Sequence, residues 1–114
     1  MNLRQNKYRN QPIIVDGINF QSKAEARRYL ELKLLLKAGQ ISNLELQPKY
    51  ELQPKYKNNK GKTIRAITYK GDFKYIENNK VVIEDVKGME TKEFKLKQKI
   101  LEYKYPDIDF RLIK

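Results

Sequence analysis

Helical and extended patterns follow one another along this chain in an order typical of an α/β sandwich. A first helical pattern, rich in helix formers and carrying an apolar leucine stripe, is followed by three extended segments, a second helix and a last strand. The extended segments cover residues 46–56, 63–73 and 80–87, and the last strand covers 108–112. Helix, three strands, helix and strand predict a mixed central sheet flanked by two helices.

Local signals at the ends of the elements support this order. Ser22-Lys23-Ala24-Glu25 matches the S-x-x-E capping box, so the first helix is predicted from Lys23 to Ala38, and Gly39 supplies a left-handed stop. Thr91 is the predicted N-cap of a second helix that runs to about Tyr103. Ahead of the first helix, Asp16-Gly17 between two short apolar runs predicts a small hairpin.

The charge of the chain points to a polyanionic partner. There are 114 residues, with 25 Lys+Arg against 14 Asp+Glu and a net charge of +11. This length predicts a single domain, residues 1–114, with residues 1–11 as a basic and flexible N-terminus. Nucleic acid is the predicted partner rather than an anionic membrane, because no basic amphipathic helix with bulky apolar anchors stands out.

Two absent residue types exclude several kinds of chemistry. The chain has no Cys and no His, which excludes disulfides, thiolate nucleophiles, Ser-His-Asp triads and zinc held by sulfur or imidazole. Any bound metal must therefore have oxygen ligands. The longest apolar runs are too short to cross a bilayer and the N-terminus does not resemble a signal peptide, so we expect a cytoplasmic protein.

Acidic residues and a lysine cluster on two of the predicted strands. Because side chains two apart share a strand face, Asp85 and Lys87 are expected on one face and Glu84 on the other. Asp72 follows Gly71 on the preceding strand, where the missing side chain is expected to leave room. A plain hairpin between these strands is expected to keep Asp72 several residue pairs from Asp85, so a splay or bend is needed to bring them together.

Two carboxylates and a lysine are the smallest set of side chains that supports magnesium-assisted phosphodiester hydrolysis. Mg²⁺ prefers six oxygen ligands and keeps several waters, so one or two Asp side chains suffice to hold it beside a phosphate. A protonated lysine does not ligate the ion, but it can orient water or neutralise charge in the transition state.

The arrangement of these residues resembles the PD-(D/E)xK nuclease motif. Asp72, then Asp85-Val86-Lys87, matches it, with Gly71 in place of the motif's proline. Almost the whole chain resembles a phage and prophage family of unknown function placed among these nucleases. The matching segments are Asp16-Gly17-Ile18-Asn19-Phe20-Gln21-Ser22-Lys23-Ala24-Glu25-Ala26, Gly39-Gln40-Ile41, Leu46-Gln47-Pro48, Tyr69-Lys70-Gly71-Asp72-Phe73 and Glu84-Asp85-Val86-Lys87-Gly88.

The resemblance implies a restriction-endonuclease-like α-β-β-β-α-β core and a set of site residues. It implies that Glu25 joins Asp72 and Asp85 at the metal, that the Val86 carbonyl ligates, and that Lys87 is the catalytic lysine. Gln47 matches a glutamine near the site in similar transposon-end nucleases.

Simpler structural roles remain open for these residues. Glu25 is also explained by the capping box, and Asp85 with Lys87 by an ion pair at a strand end. Gln47 beside Pro48 can satisfy backbone groups, and Asp72 can be a turn residue. In the second helix Lys92, Lys95, Lys97 and Lys99 are either a solvated face or a phosphate grip, with Lys92, Lys95 and Lys99 in one stripe. The aromatic residues, including Tyr69 and Phe94, are expected to be core packing.

The leading hypothesis is a Mg²⁺- or Mn²⁺-dependent DNA endonuclease. A small basic domain has little surface for reading sequence, so we expect recognition of DNA shape and a homodimer that cuts opposed strands. This resembles the Holliday-junction resolvases of the same superfamily and implies a phage- or prophage-encoded protein of recombination or replication in a bacterial host. The alternative is a non-catalytic DNA-binding or partner-binding protein that keeps the fold.

Overall fold

The computed structural model of the chain describes residues 13–114, so the predicted flexible N-terminus lies outside the described residues. The chain forms two compact units that divide between Gln40 and Ile41. The part described is mixed α/β, with two helices and a mixed four-stranded sheet, as predicted. Neither helix of residues 13–114 is long and apolar enough to span a membrane.

The first unit consists of the predicted hairpin and the predicted first helix. Its elements are β1 (Ile13–Val15), β2 (Ile18–Phe20) and α1 (Lys23–Lys37). The turn works because Asp16 and Gly17 both adopt positive φ, 53° and 75°. Ser22 caps α1, and its Oγ accepts the Glu25 N–H at 3.1 Å. Helical spacing buries Ala26, Tyr29 and Leu32 on one side of α1.

The second unit contains the main sheet and the second helix. Its elements, in chain order, are β3 (Ser42–Leu46), β4 (Lys49–Gln53), β5 (Tyr56–Lys57), β6 (Thr63–Ile64), β7 (Ile67–Lys70), β8 (Phe73–Glu77), β9 (Lys80–Val86), α2 (Lys92–Lys104) and β10 (Asp109–Ile113). The main sheet has the order β10-β9-β8-β3, with β10 parallel to β9 and the other pairs antiparallel. α2 forms the crossover that a parallel pair requires.

The central strand β9 is buried on both of its faces. Val82, Ile83, Glu84 and Asp85 are each no more than 2% exposed. Ile83 belongs to a core cluster with Phe94 and Leu101 of α2, so the face that carries Ile83 and Asp85 packs on that helix. The predicted sharing of one face by Ile83, Asp85 and Lys87 is therefore confirmed.

A cluster of polar side chains lies on the other face of the sheet, opposite the face that packs on α2. Glu84, which is fully buried, accepts a hydrogen bond from the Tyr75 hydroxyl. Arg111 on β10 approaches that hydroxyl at 3.4 Å and pairs with Glu77 at 2.8 Å and Asp109 at 2.9 Å. Glu84 thus points away from Asp85, as predicted, and its burial is compensated by hydrogen bonding.

The prediction of one continuous strand over residues 63–73 is wrong. The chain changes partners twice there, because β6 pairs with β5, β7 pairs with β4, and β8 joins the main sheet. The last change occurs at Gly71, whose N–H donates to the Pro48 carbonyl, and at Asp72, whose N–H donates to the Glu84 carbonyl, both at 3.0 Å. Pro48 lies directly before β4, a position at a strand start where a residue without an N–H is tolerated.

The expectation that a plain hairpin separates Asp72 from Asp85 is also wrong. The β8–β9 register runs from Glu77 opposite Lys80 to Phe73 opposite Glu84. Asp72 comes directly after the last pair of this register. Its N–H donates to the Glu84 carbonyl at 3.0 Å and its Oδ2 accepts the Val86 N–H at 2.6 Å, so it flanks Asp85. The two-residue turn Asn78-Asn79, with φ of 52° and 64°, sets this register. The two aspartates therefore lie beside each other where the chain changes partners at Gly71, rather than several residue pairs apart.

Candidate active site

Asp85 is a buried carboxylate with a donor at each oxygen. Its Oδ2 accepts a hydrogen bond of 2.5 Å from the Tyr69 hydroxyl, and its Oδ1 lies 3.3 Å from the Lys87 Nζ. The side chain is 3% exposed, whereas that of Lys87 is 34% exposed. A charge that is costly to bury is therefore held by one neutral donor and one cation at the end of β9.

Asp72 is held from several directions just ahead of β8. Its Oδ2 accepts the Val86 N–H at 2.6 Å, which ties the carboxylate to the end of β9. Its own carbonyl accepts the Gln47 N–H at 3.0 Å. The local fold thus fixes the Asp72 backbone between β3 and β9 and brings its side chain to the strand that carries Asp85.

Both carboxylates act electrostatically on the same phenol. The pKa of Tyr69 is raised far above its usual range, first by burial, then by the hydrogen bond to Asp85 and the negative charges of Asp85 and Asp72. Tyr69 therefore remains a neutral donor at any physiological pH. Its position links the ends of β8 and β9 into one polar site.

Lys87 extends from this site toward solvent. Its backbone N–H donates to the Ile113 carbonyl at 3.0 Å, which anchors the residue beside β10. Its Nζ lies 4.8 Å from the centre of the Phe94 ring, on the first turn of α2. The ammonium thus lies between a carboxylate and an aromatic face, and both attract a cation.

Asp85 and Lys87 lie in an open cleft of about 390 Å³. Besides these two, β7 contributes Thr68, Tyr69 and Lys70 to its walls, and the start of α2 contributes Thr91, Glu93, Phe94 and Lys97. Three lysines and two carboxylates therefore line one cleft, which fits a phosphate-bearing ligand at its edge.

The predicted lysine stripe of α2 does not line this cleft. The cleft is lined instead by Lys97, which lies outside the stripe and pairs with Glu93 at 3.2 Å, whereas Lys92, Lys95 and Lys99 are exposed. The reason is that α2 turns its Phe94 side toward the sheet, and Lys97 follows Phe94 by three residues on that side. Spacing alone identified a stripe but not the side of the helix that faces the site.

Three other predicted residues occupy defined positions. Glu25 lies in the first turn of α1 in the first unit, where its N–H donates to the Ser22 Oγ, which is one half of the predicted capping box. Gln47 is exposed with a φ of 52°, and its backbone contacts Asp72. Val86 donates its N–H to Asp72. Ligation by Glu25 or by the Val86 carbonyl, and a catalytic role for Gln47, stay predictions.

The donor set fits a divalent ion that takes few protein ligands. Within residues 13–114, no three acidic side chains form a group that could hold a metal ion. Asp72 and Asp85 form a pair, and Mg²⁺ is commonly bound by one or two carboxylates together with waters and substrate phosphate. The pair therefore suits an ion that arrives with, or is completed by, a phosphate.

The role of Tyr69 was not predicted from the sequence, where it was assigned to core packing. It does belong to the core cluster, but its hydroxyl is also the donor to Asp85. One signal was available, because a carboxylate in a buried strand needs a donor for each oxygen and Lys87 supplies only one. Tyr69 supplies this donor because β7 pairs with β4 and the chain joins the main sheet only after Gly71. The sequence pattern did not predict that pairing.

Gly71 lies close to the side chains of Tyr69 and Ile83, which leave no space for a side chain at this position. A Cβ there would lie 3.1 Å from the Ile83 Cγ2 and 3.3 Å from the Tyr69 Oη, so its space is filled rather than open as predicted. We expect Gly71→Ala to lower the free energy of unfolding by about 1–3 kcal/mol through overpacking. Gly88→Ala is the matched control, because a Cβ added at Gly88 would have no other atom within 4 Å. Equal melting temperatures for the two variants would contradict this account.

Comparison with known proteins gives a family but no activity. No curated protein and no solved structure matches the chain. One family model matches residues 5–114, nearly the whole chain, and is described as a protein of unknown function, DUF1064. The nuclease resemblance therefore depends on the residues of the site alone, and the chain itself belongs to the DUF1064 family.

Proposed function

We propose that this protein is a divalent-metal-dependent DNA endonuclease. The observation that carries the proposal is that Asp72 is hydrogen-bonded to the residues on both sides of Asp85, with the Lys87 Nζ 3.3 Å from Asp85 at an open cleft. Two carboxylates and a lysine at one sheet end supply the residue types that metal-assisted phosphodiester hydrolysis needs.

The order of the elements supports a restriction-endonuclease-like core. α1 precedes the three antiparallel strands β3, β8 and β9 of the main sheet, and α2 with the parallel strand β10 follows them. Counted over the main sheet alone, with β4–β7 inserted between β3 and β8, this agrees with the α-β-β-β-α-β order that the resemblance to PD-(D/E)xK nucleases implies. Asp72 lies directly before β8, and Asp85 and Lys87 lie at the end of β9, so the proposed motif residues meet at one end of these two antiparallel strands.

Each residue of the site has a distinct proposed role. Asp72 and Asp85 hold a Mg²⁺ or Mn²⁺ ion, which when bound supplies Lewis-acid polarisation of phosphate and a water of lowered pKa. Tyr69 holds Asp85 in one orientation through its hydroxyl. Lys87, as an ammonium, donates hydrogen bonds to the attacking water or to a phosphate oxygen and neutralises charge that develops there. Lys70 and Lys97 hold neighbouring phosphates at the cleft walls.

The charge of the chain supports DNA as the substrate. A net charge of +11 favours a polyanion, and lysines contact phosphates without reading sequence. We therefore propose selectivity for branched DNA, with a homodimer providing two sites for opposed strands. In a phage or prophage this activity would serve recombination or replication in the cytoplasm of the host.

A nicking assay tests the enzyme proposal. Purified protein is incubated with supercoiled plasmid and with a labelled four-way junction, in Mg²⁺, in Mn²⁺ and in chelator. We expect cleavage with either ion and none with chelator. Cleavage that persists in chelator, or its absence with both ions, contradicts the proposed chemistry.

Two further measurements separate the finer parts of the proposal. A preference for the junction over a linear duplex of the same sequence supports branched DNA, and equal rates contradict it. A working site also binds Mn²⁺ and raises the melting temperature by mass action. A protein that binds DNA but shows no thermal response to Mn²⁺ would instead be the non-catalytic binder.

A further inference from the structure

A strongly basic β-ribbon lies between β4 and β7 and takes no part in the site described above. This basic ribbon, residues 54–66, contains β5, β6 and the turn that joins them. It carries five cations and no acidic residue, namely Lys55, Lys57, Lys60, Lys62 and Arg65. Nearly half of the net charge of the chain is therefore concentrated in one hairpin.

The basic ribbon adds nothing to the hydrophobic core. None of its residues is buried, and only Asn58 and Ile64 are partly covered. A solvated charged loop is the ordinary explanation for such a segment, and such loops are seldom held in one conformation. The basic ribbon differs from that expectation because its tip and its base are both held by specific contacts.

The tip is held by one asparagine. The Asn58 Oδ1 accepts the N–H groups of Lys60 and Lys62, each at 3.0 Å, and the Asn58 N–H donates to the Lys62 carbonyl at 3.0 Å. Gly61 completes the turn with a φ of 79°. Two lysines are thus presented on a preorganised turn, which lowers the entropic cost of contacting a ligand.

The sides of the basic ribbon divide into a cationic and an uncharged face. Lys57 lies opposite Thr63, and Tyr56 lies opposite Ile64. Strand alternation then puts Lys55 and Arg65 on the face of Lys57, one step outside the paired residues. The cationic face and the cationic tip together form one positively charged surface.

The base is tied to α2 and continues into the cleft. The Tyr105 hydroxyl donates to the Glu51 carbonyl at 3.0 Å, and the Lys104 Nζ donates to the Leu52 carbonyl at 3.1 Å, so β4 is attached to the end of α2. On the other side β6 leads into β7, whose Thr68 and Lys70 line the cleft. Only about 10 Å of extended chain separates Arg65 from Thr68.

We infer that the basic ribbon grips the phosphate backbone of duplex DNA next to the scissile bond, an inference that deepens the proposed function. A two-stranded β-ribbon fits within the major groove of duplex DNA, and the five cations of this ribbon favour contact with its phosphates. Such contacts position the duplex without reading sequence. They release counterions, so they make affinity strongly dependent on salt.

The test compares two variants that lose the same charge. Lys57, Lys60 and Lys62 are replaced by Gln in one variant, and the exposed Lys33, Lys37 and Lys80 are replaced by Gln in the control. Binding to a labelled duplex is measured in chelator over about 50–200 mM salt. We expect the ribbon variant to lose about 100-fold in affinity near 0.1 M and its log–log salt slope to become shallower by about 2–3, as expected for three lost phosphate contacts. The control variant is expected to show a much smaller change in both its duplex affinity and its salt slope.

Equal losses in both variants would overturn the inference, because they would show an effect of net charge alone. Wild-type protein that does not bind the duplex would also overturn it, and a length-matched RNA duplex bound equally tightly would overturn the assignment to DNA. In the wild-type protein, bound duplex should protect Lys57, Lys60 and Lys62 from an amine-reactive reagent more than Lys33 and Lys37. This second measurement requires no variant to fold.

The outcome is distinguishable from failure of the proposed nuclease. Binding is measured in chelator and does not depend on cleavage. A ribbon-dependent affinity without metal-dependent cleavage would leave the basic ribbon as a DNA grip on a non-catalytic protein. If the wild-type protein cleaves DNA and the ribbon variant binds the duplex as tightly as wild type, the nuclease proposal stands. The proposed role of the basic ribbon in DNA binding is then rejected.

Discussion

Asp85→Asn is expected to reduce metal-dependent nicking of plasmid DNA by about 1,000-fold or more, because it removes one of two proposed ligands and the partner of Lys87. The fold should tolerate the change, since Asn keeps an oxygen that can accept the Tyr69 hydrogen bond. The rate is measured at saturating Mg²⁺, together with the melting temperature.

Asp107→Asn is the matched control for this prediction, because Asp107 is an exposed carboxylate outside the cleft. It loses the same charge and should cut as the wild-type protein does. Duplex binding in chelator should remain in both variants. An Asp85→Asn protein that is folded and nicks at the wild-type rate would refute the proposed role of Asp85.

Tyr69→Phe is expected to lower the free energy of unfolding by about 1.5–3 kcal/mol near neutral pH. The change removes a 2.5 Å hydrogen bond to a carboxylate that stays buried, so one Asp85 oxygen loses its donor. Denaturant unfolding measures the effect. Tyr103→Phe is the control, since that side chain is 85% exposed, and similar losses in the two variants would contradict the argument.

The same substitution should change the response of stability to alkaline pH. Because the pKa of Tyr69 is raised in the folded protein, the folded state keeps this proton above pH 10, where the unfolded chain loses it. The stability linked to Tyr69 is therefore complete below about pH 10 and is lost as the pH rises further. The unfolding free energy of wild type should fall more steeply than that of Tyr69→Phe, by up to about 1.4 kcal/mol per pH unit. Parallel curves would contradict the raised pKa.

Much of the fold follows from local patterns. The Ser22 and Thr91 caps begin helices within a residue of the predicted positions, because in each cap a side-chain oxygen accepts a backbone N–H only three residues later. The Asp16-Gly17 turn forms as predicted, since positive φ is a local preference. The predicted division of β9 into two faces also holds, because alternation along a strand needs no knowledge of its partners.

The site was predictable in residue type but not in arrangement. Asp72, Asp85 and Lys87 were identified from strand position and resemblance. Lys97 was named only as one of four possible phosphate contacts, and the contribution of Tyr69 was not identified. Their contribution depends on which strand β7 pairs with and on how α2 is rotated about its axis. Both are long-range packing choices that short-range spacing does not encode.

The two helices and their caps, the absence of sulfur and imidazole ligands and the excess positive charge were readable from the amino-acid sequence, because each is set by composition or by neighbours a few residues apart. The division of the chain between the helices into seven strands was not. The tertiary structure alone decided the approach of Asp72 to Asp85, the Tyr69 hydrogen bond and the separation of the basic ribbon from the main sheet. The physical reason is that strand register and partner exchange are settled by burying the most apolar surface while every buried polar group finds a partner, and those groups lie far apart along the chain.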